Sequence, residues 1–151
     1  TLSLENNSLF SLPPAFDALK SLRSINLSNN KLEQFPRQII TLPNLDFVDL
    51  SHNSITTVPD GFSQLSVMEL NLNQNKISIL SDDLADCPRL KVLRAEENCL
   101  ALEEVTRKIL GHSQISTLAI EGNMFELKRL HDHPDYELYQ ERYTASKKKF
   151  T

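Results

Sequence analysis

The stretch ELNLNQNKIS, Glu69 to Ser78, alternates apolar and polar residues as a half-buried strand does, yet it sets asparagine at Asn71, Asn73 and Asn75. Asparagine is a poor strand former, so each amide needs a reason that a β-branched side chain would not supply. Leu70 and Leu72, two apart, point to one face of the strand. Glu69, Asn71 and Asn73 point to the other, which makes the first two asparagines surface residues. Asn75 lies beyond the strand where the chain must bend, and an amide there can bond backbone groups that the bend leaves unpaired.

The frame recurs along the chain. TLSLENNSLFSLP, LRSINLSNNKLEQFP, LDFVDLSHNSITTVP, VMELNLNQNKISIL, LKVLRAEENCLAL and ISTLAIEGNMFEL align on Asn7, Asn30, Asn53, Asn75, Asn98 and Asn123, in steps of 23, 23, 22, 23 and 25 residues. A period of this length carrying L-x-x-L-x-L-x-x-N-x-L is that of leucine-rich repeats. The expected fold is an α/β solenoid with a curved parallel sheet on its concave face and short 3₁₀, turn or helical arms on its convex face. Residues 1–125 hold six repeat units, the first incomplete, and residues 126–151 form a helical C-terminal cap. The six recurring asparagines are expected to stack as a structural ladder, in which losing a rung strands a buried backbone group at roughly 1–3 kcal/mol.

After each asparagine, Leu9, Leu32, Ile55, Ile77, Leu100 and Phe125 add to the core, and the first three units then reach Pro13, Pro36 and Pro59. The return arms supply a second core row: Phe16 with Leu19, Ile39 with Leu42, Phe62 with Leu65, and Leu84 with Cys87, where the cysteine takes a leucine's place in packing. The longer LEEVTRKILGHS arm of the fifth unit has acidic residues first, Lys108 late and Gly111 at its stop, which predicts a helix through that stretch.

A solenoid must close its terminal core. After Phe125 the frame gives way to a stretch with Tyr136, Tyr139 and Tyr143 on one helical face, Pro134 in a first turn, and Lys147, Lys148 and Lys149 at the helix end. Three lysines are few for an acidic membrane surface. Thr1 enters in the middle of a repeat, so the chain is expected to be a fragment lacking N-terminal repeats.

Several function classes fit poorly. The 151 residues carry a net charge of −4 with both signs interspersed, which leaves no basic field for nucleic acid. Three glycines and no glycine-rich loop leave no phosphate cradle, and no cofactor is expected. Cys87 and Cys99 lack metal spacing and read as free thiols in a reducing, cytoplasmic compartment. The HDHPD run, with His131, Asp132, His133 and Asp135, is interrupted by a proline and lacks a fourth fixed ligand, so no metal site is expected. Ser51 and His52 are neighbours in sequence, a poor geometry for a nucleophile and its base, and no catalytic residue is assigned. A secreted receptor would find sequons at Asn6 and Asn26, but both lie on or beside strands and no cysteine-rich cap accompanies them.

The runs CPRLKVLRAEENCL, STLAIEGNMFELKRL and ERYTASKKKF, together with ELNLNQNKIS, resemble the intracellular leucine-rich-repeat-containing protein fifty-seven family of vertebrates. The specific part of the resemblance begins at Val67; the first three units match many relatives equally. The resemblance implies an intracellular repeat protein without established enzymatic activity. Full-length members begin with a Met-Gly start of the myristoylated type, which implies peripheral membrane association through an N-terminal myristoyl group. That start is absent from the present sequence, and one acyl chain anchors only weakly.

The strands place Thr1, Ser24, Phe47, Glu69, Val92 and Thr117 in one outward row, and Ser3, Asn26, Asp49, Asn71, Arg94 and Ala119 in the next. A third row holds Glu5, Ser28, Ser51, Asn73, Glu96 and Glu121, with His52 and Glu97 beside it. Phe47 is the natural anchor for a protein partner, because an aromatic facing out of a sheet offers area at low entropic cost. Arg94 is expected between the carboxylates on the Asp49 and Glu96 sides. The candidate partner-binding residues are Phe47, Asp49, Glu69, Asn71, Arg94 and Glu96, on a monomer. Six strands about 4.8 Å apart, each showing about five residues, project roughly 500 Å², against about 800 Å² per partner in a stable interface. A regulatory subunit of a signalling enzyme, such as a phosphatase or a small-GTPase pathway component, is the alternative reading, resting on fold analogy.

Overall fold

A computed structural model describes residues 1–148. Its principal sheet has six parallel strands: β1 (Leu2–Ser3), β2 (Ser24–Asn26), β3 (Phe47–Asp49), β5 (Glu69–Asn71), β7 (Val92–Arg94) and β8 (Thr117–Ala119), in that spatial order. Each coil returns to start its strand in the same direction, which makes every pairing parallel. The register aligns equivalent repeat positions: Ser24, Phe47, Glu69, Val92 and Thr117 form one line, and Ser3, Asn26, Asp49, Asn71, Arg94 and Ala119 the next. Ile25, Val48, Leu70 and Leu93 alternate with them and are buried, as the twofold period of a strand requires.

The residue before each recurring asparagine turns the chain off the strand by adopting positive φ: Asn6 (61°), Asn29, His52, Gln74 and Glu97 (55° each) and Gly122 (78°). Only the last is glycine. For L-residues this conformation costs about 1–2 kcal/mol. It persists because the backbone N–H of the first five continues the inter-coil ladder, as in Gln74 N–H to Glu96 O at 2.9 Å and Glu97 N–H to Glu121 O at 2.8 Å.

The convex arms are 3₁₀ turns at Pro14–Ala18, Arg37–Thr41 and Asp82–Asp86, each wedging an apolar residue inward: Phe16, Ile39 and Leu84. Cys87 occupies the leucine position, 1% exposed, and its Sγ–H lies 3.2 Å from the Phe62 carbonyl. Leu19 departs from expectation. It is 43% exposed, whereas its counterparts Leu42 and Leu65 are fully buried, because among the described residues no coil lies against the outer side of the first. Leu9 in the same coil is only half-buried, as is Phe125 in the last coil.

The fifth arm is helical over Leu102–Thr106 (α1) only, not through Gly111. Beyond Thr106 the chain widens into turns, with Leu110 N–H reaching the Val105 carbonyl five residues back at 2.9 Å, and Ile109 and Leu110 are both buried. Gly111 is no left-handed stop. A Cβ there would lie 2.8 Å from the Asp135 carboxyl, so its missing side chain lets the C-terminal segment approach. Sequence reasoning also missed a flanking two-stranded parallel sheet, β4 (Thr57–Val58) with β6 (Ile79–Leu80), whose short TTVP and ISIL stretches look like loop.

Beyond the last coil lie α2 (Leu127–His131) and α3 (Tyr136–Lys148). Tyr139 is buried, Tyr136 half-buried and Tyr143 39% exposed, so the tyrosine face is covered mainly at its centre. The Tyr139 hydroxyl accepts the Leu118 N–H at 2.9 Å, satisfying a donor on the outer edge of β8. Arg142 donates to the carbonyls of Ile115 (2.8 Å) and Leu110 (2.7 Å). Pro134 lies just ahead of α3, where Asp135 O accepts the Leu138 N–H. The expectations for Lys149 and for the final residues of the 126–151 cap fall outside the described residues. Among the described residues, no helix is long and apolar enough to cross a membrane.

Candidate functional site

The concave sheet brings Phe47, Asp49, Glu69, Asn71, Arg94 and Glu96 onto three neighbouring strands and the loop beyond the last. Phe47 and Glu69 share one register line, and Asp49, Asn71 and Arg94 the next. Phe47 is 47% exposed, and Met68, one residue ahead of Glu69, is 38% exposed. Arg94 does not lie between the Asp49 and Glu96 carboxylates as an ion-pair partner of either. Its Nε reaches diagonally to Glu69 Oε1 at 3.4 Å. Asp49 is already engaged: its Oδ1 accepts both the N–H (2.9 Å) and the hydroxyl (2.6 Å) of Ser51. Ser51 is therefore a buried structural hydroxyl, with exposed His52 turned away in a left-handed bend.

Asn71 and Asn73 are more than surface groups. The Asn71 side-chain oxygen accepts the Asn73 N–H at 3.0 Å, and Asn26 does the same for the Ser28 N–H at 3.0 Å. The last position of the strand thus carries Asn, Asp and Asn in consecutive coils because a short side-chain acceptor closes the strand end. In the fifth coil Arg94 stands there, and the Glu96 N–H is taken by Asn73 of the preceding coil at 2.8 Å.

The aligned asparagines stitch the coils on the core side. Asn75 donates to the carbonyls of Leu50 (2.9 Å), Leu72 (3.1 Å) and Asn73 (3.3 Å), while its oxygen accepts the Ile55 N–H at 3.1 Å. Asn30, Asn53, Asn98 and Asn123 repeat the arrangement, each accepting from the preceding coil: Leu9, Leu32, Ile77 and Leu100 N–H respectively. Asn7, in the first coil, is exposed and donates only within its own unit, to Leu4 and Glu5 carbonyls.

At the margin where strands begin, Asp46 joins Arg89 (2.6 Å) and Arg23 (3.3 Å) across three coils. The Arg89 guanidinium, helped by Arg23, holds the Asp46 carboxyl below the usual carboxylate range. These residues are 23 and 43 positions from Asp46, and only their shared place ahead of a strand, visible in the repeat alignment, could have revealed them. On the convex arms Lys108 pairs with Asp86 and Arg107 with Asp82 and Glu104. No group of three His, Cys, Asp or Glu side chains suited to a metal ion occurs among the described residues. The His133 ring nitrogen instead accepts the Asp135 N–H at 3.0 Å. A cleft of about 390 Å³ lies away from the sheet, lined by Phe10, Leu12, Phe35, Pro36 and Arg37 in the loops of the first two coils.

Stacked coils, a parallel concave sheet and aligned amides define a repeat solenoid with one open face. A family model described as leucine rich repeat matches residues 1–55 and 43–100, and the chain belongs to the leucine-rich-repeat family. It is similar to the solved structure of a leucine-rich-repeat protein of Leptospira interrogans, with a TM-score of 0.72 and 27% identity over 86% of the chain. The match covers 33% of that protein's chain, so the chain spans about a third of its length.

Proposed function

We propose that the chain is a non-catalytic protein-interaction module that docks a protein partner on its concave sheet, through Phe47, Asp49, Glu69, Asn71, Arg94 and Glu96. The observation that carries this reading is Phe47: a large aromatic 47% exposed among polar neighbours, on a face whose reverse is solid core. Residues 1–125 serve as the platform and 126–151 as the cap that seals it. The finer reading is an intracellular adaptor or scaffold of the leucine-rich-repeat-containing protein fifty-seven type, supported by the sequence from Val67 onward and by the free thiols Cys87 and Cys99. Arg94 and Glu69 form an exposed pair worth about 0–1 kcal/mol to the fold, which leaves both side chains available for exchange with a partner.

Proximity labelling in cells, followed by pull-down with purified protein, tests the reading. Partners retained by the wild type should be lost with Phe47→Ala and weakened with Arg94→Ala, while Tyr143→Ala on the cap retains them. If both sheet variants keep every partner, the docking surface lies elsewhere.

A further inference from the structure

The charges on the concave face are not evenly compensated. At the margin where strands begin, Arg23 and Arg89 both neutralise Asp46, and Lys91 is hydrogen-bonded to Gln114. In the middle Arg94 pairs with Glu69. At the opposite margin, Glu96, Glu97 and Glu121 crowd into two consecutive coils, and no ion pair reaches any of them among the described residues. They are held close together by the backbone, since the Glu97 N–H donates to the Glu121 carbonyl at 2.8 Å. An independent feature lies diagonally across the sheet: Phe47 is exposed in the outward row, and Met68, at the margin where β5 begins, is exposed on the adjacent coil.

Resting on the concave-face reading above, we infer that the partner presents a basic segment, with a bulky apolar side chain for Phe47 and Met68 and clustered Lys or Arg side chains for Glu96, Glu97 and Glu121. The spacing is fixed by the register. Phe47 aligns with Glu69 and Val92, so Glu96 lies two strands over and four residues along, about 16 Å away at about 4.8 Å per strand and 3.3 Å per residue. An extended segment covers that distance in about five residues. Charge complementarity selects its sign, because a carboxylate brought to the acidic margin would meet like charge while an ammonium or guanidinium meets three unpaired carboxylates. Arg94 does not reverse this preference, since Glu69 already accompanies it.

The test uses three fluorescein-labelled peptides of twelve residues with the 151-residue chain, read by anisotropy. The first carries a tryptophan followed five residues later by three lysines, the second replaces the lysines with glutamates, and the third replaces the tryptophan with serine. The first should bind at least about tenfold more tightly than either control, about 1.4 kcal/mol, and weaken as salt rises, because the charges lie within a screening length of about 8 Å. Glu96→Gln/Glu97→Gln/Glu121→Gln, with an unchanged melting temperature, should lose that tenfold while Phe47→Ala loses the tryptophan contribution. Glutamate-peptide binding that Phe47→Ala abolishes would overturn the charge assignment and leave the concave reading standing. Binding indifferent to Phe47→Ala would overturn both, and absence of binding by the first peptide would overturn the basic-segment inference.

Discussion

The side-chain oxygen of Asn73 accepts the backbone N–H of Glu96, on the following coil, at 2.8 Å. In coils two to four the corresponding N–H groups, of Ser28, Ser51 and Asn73, are satisfied by Asn26, Asp49 and Asn71 within the same coil. Arg94 removes that acceptor from the fifth coil, and Asn73 replaces it from outside. Asn73→Ala should therefore cost about 1 kcal/mol by orphaning a half-buried donor. Arg94→Asn restores a local acceptor, so the double variant should be more stable than Asn73→Ala alone, with a coupling of about 0.5–1 kcal/mol in urea titrations. Strict additivity would show that the Glu96 N–H is solvated without penalty.

The aligned asparagines are not equivalent. Asn75→Ala frees the Ile55 N–H and withdraws a donor from the Leu50 and Leu72 carbonyls in the interior, which should cost about 2–4 kcal/mol. Asn7→Ala removes only exposed bonds within one coil and should cost less than about 0.5 kcal/mol. Equal losses in chemical denaturation would mean that inter-coil bonding is not the source of the stability.

Left-handed residues offer the opposite sign. Gln74 holds φ at 55° with its side chain exposed, so Gln74→Gly should relieve strain and raise stability by about 0.5–1 kcal/mol. Gly122→Ala should lower it, because φ is 78° and the new methyl would meet Glu97 Cγ at 3.0 Å. Thermal melts of the two variants should move in opposite directions.

Besides the packing of Leu130 and Tyr139 into the core, the cap is bonded to the last coils by one hydroxyl and one guanidinium. Burial pushes the Tyr139 hydroxyl up and Arg142 down from their ordinary values, as expected for polar groups brought against the end of the core. Tyr139→Phe leaves the Leu118 N–H without its partner and should cost about 1–2 kcal/mol. Amide exchange should quicken first at Leu118 rather than in β3 or β5, and uniform acceleration would argue against a local seal.

The solenoid and its concave rows are legible in the sequence because leucines recurring every 22 to 25 residues leave one arrangement that buries most of them. What escapes is whatever depends on a neighbouring coil's exception. The Asn73 bond to Glu96 follows from Arg94 breaking a pattern, which alternation of apolar and polar residues does not weigh. Arg94 turned to Glu69 rather than to Asp49, because Ser51 already occupies the Asp49 carboxylate. Leu19 carries the core signature yet is exposed, since burial depends on what lies against the coil. The fifth arm has helical composition over a dozen residues, but with Ile109 and Leu110 both packed against the core the regular helix ends at Thr106 and gives way to wider turns. Arg142 shows no period at all, and its role appears only once the edge carbonyls of Leu110 and Ile115 are in place.

The two thiols should separate cleanly. Cys99 is exposed, whereas burial, with Asp83 and Asp86 nearby, pushes the Cys87 thiol up to about 11 from an ordinary 9.0. A maleimide at neutral pH should label Cys99 in the native protein and reach Cys87 only on unfolding. The shift also sets a pH dependence. Because the folded state disfavours the thiolate, the stability linked to Cys87 is complete below pH 9 and is lost as pH rises from about 9 through about 11, where the unfolded chain ionises first. Cys87→Ala creates a cavity at any pH, so its destabilisation relative to wild type should be largest near pH 8 and smaller at pH 10.5, where the wild type has lost its thiol contribution. Tyr139 titrates in both proteins and cancels in that difference. A mutational penalty that stays constant from pH 8 to 10.5 would place Cys87 in contact with solvent rather than at the leucine position of its coil.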